Sequence, residues 1–400
     1  MNRPIIQIQR SKNIRSMIQD TCKKLGGLGL GLSLLALCAS CSSEDPMTGQ
    51  DTAEAFLQPA FHVNGVKTRS IVSGIATAEG EGKIHQVKLF VTKEDDGYTP
   101  YEGVGASGAD AGLSTFTYQS ASGSGNEWVG SPVVKLSSVK ARIYAYSPAG
   151  SALTKSTSST AHTIPITLPA SQSFHGGKEW DSDAIDYMYG SAANTVGDAT
   201  AITASHTSPS GSGSSDGTYK PEIYLQHALA RLSFTMQSAA GRPVNTTYDY
   251  VKKIKLKAST NLFSTGSGTM SVADGAIGGS TLVSELTFAA KEDGGATTAA
   301  LCGNAGTPTG VGYGLVAPLS TTSDMTITVV VGQKGSVTAD RELSATLNQI
   351  VWKRGHTHKI QITLSNRAVT VNTEIIPWTE GWAGGDSGST GTGDVKPGGY

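Results

Sequence analysis

Short runs of β-branched, aromatic and aliphatic residues recur along most of the chain, and turn-forming residues separate them. The runs alternate in polarity or are rich in β-branched residues, and a period of two, as in residues 369–376, is typical of a half-buried strand. Asp95-Asp96-Gly97 directly follows one run and is typical of a hairpin turn. The sequence therefore predicts an all-β fold of short strands packed as β-sandwiches. The clearest runs are residues 86–92, 141–146, 163–168, 222–225, 232–236, 251–257, 326–331, 359–364 and 369–376.

Composition and charge exclude several classes of protein. Charged residues make up 16% of the chain, and the formal net charge is −1. A coiled coil would be about half Ala, Glu, Lys, Leu and Arg, and a wholly disordered chain would pair low hydrophobicity with a high net charge. A nucleic-acid-binding protein would carry a basic excess. None of these descriptions fits, and we expect no nucleic acid among the partners.

The first forty residues are typical of a secretory signal. Residues 1–24 carry six basic side chains and one acid, and residues 25–37 form a run of thirteen uncharged residues rich in Leu. At 1.5 Å per residue such a run covers ~20 Å as a helix, short of a hydrocarbon core of ~30 Å. The sequence therefore predicts that residues 1–40 are removed rather than retained as a membrane span. Because the basic region is long, Met17 is an alternative start.

Cys41 is the candidate site of lipid attachment. It follows Cys38-Ala39-Ser40, and small residues before a Cys after a Leu-rich run resemble a bacterial lipobox, although Cys38 stands where Leu is usual. An ordinary signal-peptidase cut is the alternative. Acidic residues directly after Cys41, at positions 44 and 45, resemble the signal that exports lipoproteins of Bacteroides-type bacteria to the outer face of the outer membrane.

The remaining cysteine cannot form a disulfide within the mature chain. Cys22 and Cys38 leave with the signal and Cys41 carries the lipid, which leaves Cys302 alone. The fold must therefore be held by its core. Loss of the signal also removes six basic residues and one acid, so the mature chain has a net charge of about −6. A mildly acidic surface favours solubility.

A stretch dense in Ser and Gly divides the mature chain into two parts of ordinary domain size. This stretch, residues 204–220, is typical of a linker or a surface loop. We predict a tether with a candidate removable first strand at 41–64, an N-terminal β-sandwich domain at 65–220, a C-terminal β-sandwich domain at 221–382 and a Gly-rich tail at 383–400.

The sequence offers little catalytic or metal chemistry. Gly213-Ser214-Ser215-Asp216-Gly217 fits the G-x-S-x-G pattern but lacks the strand and helix that a nucleophile elbow needs. Asp181, Asp183 and Asp186 do not have the spacing of a calcium loop. His356 and His358 would share one strand face, but no partner ligands accompany them. We therefore predict no enzymatic activity, no cofactor and no metal site.

Several segments, in a consistent order, resemble the fimbrillin family, the Mfa-like subunits of type V fimbriae. The order and spacing of the segments carry the resemblance, which covers nearly the whole mature chain. They are residues 68–70 (TRS), 143–148 (IYAYSP), 182–190 (SDAIDYMYG), 225–234 (LQHALARLSF), 357–364 (THKIQITL) and 369–378, which ends in IPW.

The resemblance implies two tandem transthyretin-like antiparallel β-sandwich domains and assembly by donor-strand exchange. In such subunits a trypsin-like protease cuts after an Arg, and removal of the first strand opens a groove. The C-terminal strand of a neighbouring subunit then fills that groove. Arg69 is the candidate cleavage site here, with Lys67 or no cleavage as alternatives, and residues 55–63 are the candidate first strand. The candidate donor strand is 369–378, with contacts from Val369, Val371, Ile375, Ile376 and Trp378.

The sequence thus predicts a structural or adhesive subunit of surface fimbriae, exported as a lipoprotein to the outer membrane. Its expected partners are other fimbrial subunits, the membrane through the lipid anchor, and a receptor on a host or bacterial surface. The alternative is a monomeric surface lipoprotein that binds glycans or host proteins. For that function the available aromatic side chains are Tyr98, Trp128 and Trp180.

Overall fold

The computed structural model describes residues 55–63, 74–78, 82–105, 107–119, 128–158, 161–174, 183–205, 219–241, 248, 250–290, 303–332, 340–365 and 369–378. The predicted signal segment, Cys41, Arg69, Trp180 and the Gly-rich tail lie outside these ranges, as do residues 206–218 of the predicted linker. The predictions made for them stay predictions.

Regular structure in the described ranges is almost entirely β, which confirms the predicted all-β class. Each run predicted from periodicity lies within a strand. One short 3-10 helix occurs at Gly108–Asp110, and no helix in these ranges is long and apolar enough to cross a membrane. The strands of the first half are β1 Ala55–Phe56, β2 Ala60–Val63, β3 Gly74–Ile75, β4 Lys83–Ile84, β5 Gln86–Lys93, β6 Leu113–Tyr118, β7 Trp128–Ser131, β8 Lys135–Leu136, β9 Ala141–Ser147, β10 Thr163–Leu168, β11 Ser171–Phe174, β12 Met188–Ser191 and β13 Ile202–Ala204. Those of the second half are β14 Glu222–His227, β15 Ala230–Ser238, β16 Tyr250–Ala258, β17 Phe263–Ser271, β18 Ile277–Gly278, β19 Thr281–Val283, β20 Glu285–Ala290, β21 Thr309–Val316, β22 Leu319–Gly332, β23 Arg341–Trp352, β24 His356–Leu364 and β25 Val369–Pro377.

The first half of the chain builds most of an eight-stranded sheet with the order β2-β14-β12-β9-β5-β6-β7, in which β13 also pairs with β9. Both faces of its central strands are buried, because successive side chains of a strand point to opposite faces. In β5, Leu89 contributes to one hydrophobic core and Phe90 to the other. In β9, Ala145 and Tyr146 divide in the same way. The sheet therefore lies between two cores.

The second half forms a sandwich of two sheets. One has the order β11-β20-β16-β22-β23 and the other the order β21-β15-β24-β25. Aromatic rings join the two sheets across the core: Phe234 lies 5.3 Å from Phe288, and Phe174 lies 6.2 Å from Tyr313. The predicted sandwich packing is thus present, and most pairs are antiparallel as predicted. Four pairs differ, because β2 with β14, β3 with β4, β11 with β20 and β15 with β24 run parallel.

Two strands from the predicted N-terminal domain pair with strands of the second half. β10 pairs with β17, and β11 pairs with β20. In β10, Ile164, Ile166 and Leu168 are buried with period two and join the core of the second half. Periodicity predicts such a strand but not its partner, since the pairing depends on contacts distant in sequence. The domain boundary near residue 220 remains a prediction.

Candidate functional site

The C-terminal strand β25 is an edge strand of its sheet. It pairs antiparallel with β24 over its whole length, from Val369 opposite Leu364 to Pro377 opposite His356. Within the described part of the chain, β24 is the one strand to which it is hydrogen-bonded. An edge strand leaves one row of backbone N–H and C=O groups without a sheet partner. β25 is therefore attached along one side only.

Side chains of the candidate donor strand are buried mainly at its two ends. Val369 and Trp378 are buried, with exposed fractions of 8% and 2%. Val371 and Ile376 are half-buried, and Ile375 is 41% exposed. The residues between them are mostly exposed polar side chains. The strand therefore gives up little of the apolar core when its middle part detaches.

Trp378 packs against His227 at the end of β14 and Arg231 in β15. Its indole stacks on the His227 ring with 3.8 Å between ring centroids and 9° between planes. The Nδ1 atom of His227 lies 2.9 Å from a carboxylate oxygen of Asp186, so a protonated Nδ1 donates to it. The guanidinium of Arg231 lies 5.4 Å from the indole centroid, close enough for a cation–π contact. We call His227, Asp186 and Arg231 the Trp378 pocket.

Sequence reasoning did not find the Trp378 pocket. Asp186 was considered for a metal loop, whereas the structure places it against His227. His227 and Arg231 stood within one segment of the family resemblance without an assigned role. A signal for the pocket is present in the sequence, since Asp186 and Arg231 each lie between two apolar residues. A charged residue in such a position is often buried and then needs a polar partner.

At the opposite end of the described chain, residues 55–63 lie along the edge of the eight-stranded sheet. β2 pairs in parallel with β14, and β1 pairs with β8. Further backbone bonds join Leu57 N–H to the Val134 carbonyl at 3.0 Å and Ala60 N–H to the Pro221 carbonyl at 3.0 Å. This segment therefore completes the sheet at an edge that β14 would otherwise present.

The same segment covers the N-terminal core. Ala55, Leu57 and Phe61 are each less than 5% exposed. The ring of Phe61 meets Trp128 edge-on at 4.6 Å and Phe116 at 6.0 Å. A cleft of about 300 Å³ adjoins Leu57 and Trp128. Removal of the segment would expose both a sheet edge and apolar side chains, the two features that a groove for an added strand requires.

Other candidate residues have structural surroundings. Among the described residues, no cluster of His, Cys, Asp and Glu could hold a metal ion. His358 is buried and accepts a hydrogen bond from the backbone N–H of Lys353 at 2.9 Å, whereas His356 is near the Arg354 carbonyl. Trp128 is buried against Phe61, so it does not offer a face to a glycan.

We expect His358 to make stability fall as the pH is lowered. Burial lowers the pKa of His358 from 6.5 to about 4 in the folded chain. Between these values the unfolded chain binds a proton that the folded chain does not, so stability is full above pH 6.5 and is lost toward pH 4. The loss of stability from this residue is up to about 3 kcal/mol.

Urea denaturation from pH 7 to pH 4 should show a smaller loss of stability in His358→Gln than in the wild type. The same change at half-buried His356 is the control, and equal pH slopes in wild type and His358→Gln would contradict the assignment.

The chain matches one protein family and is similar to several solved structures. The family model described as fimbrillin-like matches residues 82–378. A fimbrial protein from Bacteroides vulgatus resembles the chain with 14% identity and a TM-score of 0.48, over 82% of this chain and 99% of that one. A fimbrial assembly protein from Parabacteroides distasonis has 11% identity and a TM-score of 0.39, over 81% and 98%. A C-terminally truncated tip fimbrial protein from Porphyromonas gingivalis has 10% identity and a TM-score of 0.39, over 81% and 100%. No curated protein matches the chain.

Proposed function

The chain belongs to the fimbrillin-like family, and we propose that it is a structural or adhesive fimbrial subunit assembled by protease-triggered donor-strand exchange. Family membership makes it a fimbrial or adhesion-type surface protein. The observation that best supports the exchange mechanism is the position of residues 55–63. They complete the edge of a sheet and cover its core, yet they lie at the start of the described chain, ahead of Arg69.

Cleavage after Arg69 would convert this segment into a detachable peptide. It would leave β14 with unpaired backbone groups at Glu222–Leu225, and it would uncover Phe116 and Trp128. Unpaired backbone groups and exposed apolar side chains are both unfavourable in water, so the groove would favour a replacement strand. Strand addition restores the main-chain hydrogen bonds, while alternate side chains of the added strand enter the groove.

β25 has the properties of the replacement strand. It contains nine residues, the same number as the segment 55–63 that it would replace. It is bonded to β24 alone among the described strands, so its withdrawal opens one row of backbone bonds. Val369, Val371 and Ile375 alternate with polar residues and would supply the contacts in a neighbour's groove. Trp378 would supply the largest apolar surface.

Export as a lipoprotein is the second part of the proposal. Acylation of Cys41 would hold the precursor at the outer membrane until cleavage after Arg69 separates the lipid from the subunit. Partners are then other fimbrial subunits, and an adhesive role would add a receptor. Mass spectrometry of the precursor's N-terminal peptide tests the lipid on Cys41 directly.

Trypsin treatment of the purified chain is the experiment that tests the proposed function. We expect nicking at Arg69, a new N-terminus at Ser70, and SDS-resistant ladders of rising molecular mass. The double mutant Lys67→Ala, Arg69→Ala should resist trypsin cleavage after residues 67 and 69, and it should form no ladder. Complete nicking at Arg69 followed by a protein that stays monomeric at high concentration would refute donor-strand exchange.

A further inference from the structure

We propose that the Trp378 pocket holds the C-terminal strand on its own subunit and thereby sets how readily that strand is donated. The inference rests on the proposed function, because it concerns the strand that would be exchanged. It assigns a role to His227, Asp186 and Arg231, none of which lies in the donor strand. His227 ends β14 beyond Glu222–Leu225, the residues that pair with β2. In this role the three residues hold the strand on its own subunit.

The pocket joins elements that backbone pairing does not join. β25 belongs to the sheet β21-β15-β24-β25, whereas His227 ends β14 of the eight-stranded sheet and Asp186 precedes β12 of that sheet. His227, Asp186 and Trp378 are each less than 5% exposed. The near-parallel rings at 3.8 Å and the bond to Asp186 fix the orientation of the His227 ring. Trp378 thus connects the end of β25 to the eight-stranded sheet.

After Val369, the first residue of β25, the most deeply buried side chain of the C-terminal segment is Trp378. Thr370, Asn372, Thr373 and Glu374 are exposed, and Ile375 is 41% exposed. The backbone N–H of Trp378 also donates to the Gly355 carbonyl at 2.9 Å. If the indole leaves its pocket, the end of the strand is held mainly by its backbone hydrogen bonds to β24 and Gly355. Fraying from this end then becomes the easiest way to free the strand.

The pocket binds the indole tightly by packing but leaves its polar atom unsatisfied. Trp378 Nε1 is buried and makes no hydrogen bond to the described residues. A buried donor without an acceptor is unfavourable, so release of the indole recovers the hydration of this group. The apolar contact of the indole stabilises the bound strand, and the unsatisfied N–H group destabilises it. The two opposing terms allow Trp378 to hold the strand in the monomer and to be released during exchange.

Hydrogen exchange in the uncut monomer measures this anchor without requiring assembly. His227→Leu removes both the ring stack and the bond to Asp186 while keeping an apolar side chain. We expect amides of residues 370–378 to exchange roughly tenfold faster than in the wild type, since the aromatic contact no longer opposes fraying. Amides of β16 and β22 should be unchanged. His227→Phe keeps a ring beneath the indole and should restore slower exchange, and Ile375→Ala, on the exposed part of the strand, should leave the rate unchanged.

The outcomes separate this inference from the proposed function. Unchanged exchange of residues 370–378 in folded His227→Leu would overturn the role of the pocket. If His227→Leu does not fold, Trp378→Leu gives the same reading, because it alters only the end of the strand. After trypsin nicking, His227→Leu should form ladders several times faster than the wild type. Faster exchange combined with no ladders from either protein would support the pocket and refute strand donation.

Discussion

A chain that ends at residue 368 is expected to fold and to form no fibres after protease treatment. The truncation removes β25, whose one strand neighbour in the described structure is β24, so the two cores keep almost all of their side chains. Loss of buried Trp378 should lower the free energy of unfolding by about 3–5 kcal/mol. A domain stability of about 5–15 kcal/mol can absorb that loss. Circular dichroism should remain β-type, while SDS-resistant ladders should be absent.

The matched control ends at residue 378 and removes the Gly-rich tail but keeps β25 and Trp378. It should assemble as the full chain does, which assigns the loss to the strand rather than to the tail. Fibres from the chain that ends at residue 368 would show that another segment is donated. When it is mixed with full-length subunits, the chain that ends at residue 368 should stop fibre growth. Its groove can still accept a strand from a neighbour, but it has no strand to donate to the next subunit.

Much of the secondary structure could be predicted because it is encoded locally. The sequence of β10 shows its burial pattern directly, because the buried residues Ile164, Ile166 and Leu168 alternate with Pro and Thr. In the run 86–92, Val87, Leu89 and Val91 share one face and Phe90 lies on the other, and the structure places β5 between two cores. Turn chemistry was equally local: Asp96 accepts the backbone N–H groups of Tyr98 and Thr99, and Gly97 has a φ of 67°.

Strand partners could not be predicted from periodicity. β2 runs parallel to β14 although about 160 residues separate them, and β11 crosses to pair with β20. Nothing in either sequence favours one edge over another, because backbone hydrogen bonds are the same for every residue except Pro. The pairing is decided by which apolar faces meet in the core. The family resemblance implied two sandwich domains but gave no strand partners.

The sequence predicted the two terminal segments of the candidate site but not the residues that they contact. Residues 369–378 and 55–63 were identified as terminal strands, and Trp378 as an apolar anchor. The surroundings of Trp378 depend on His227 and Asp186, which lie about 150 and 190 residues away from it in sequence. The short strand β1 and its partner β8 are also too short for a periodic signal.

Phe61→Ala is expected to destabilise the uncut precursor strongly and to have no effect on the assembled polymer. Phe61 is 4% exposed and contacts Trp128 and Phe116, so its truncation leaves a cavity in the N-terminal core. Loss of a buried Phe side chain costs about 3–5 kcal/mol. Urea denaturation of uncut protein should show this loss. Once cleavage after Arg69 removes residue 61, wild-type and variant chains yield the same subunit, and their polymers should dissociate at the same temperature in SDS.

Phe116→Ala is the control that distinguishes a removable segment from an ordinary part of the core. Phe116 lies in β6, downstream of Arg69, and therefore stays in the subunit after cleavage. Its replacement should weaken the precursor and the polymer alike, because an incoming strand would pack over the same cavity. If Phe61→Ala also lowers the dissociation temperature of the polymer, residues 55–63 are retained in the fibre. The groove beside β14 would then stay closed, and assembly would have to use a different edge, of which β25 is the exposed example.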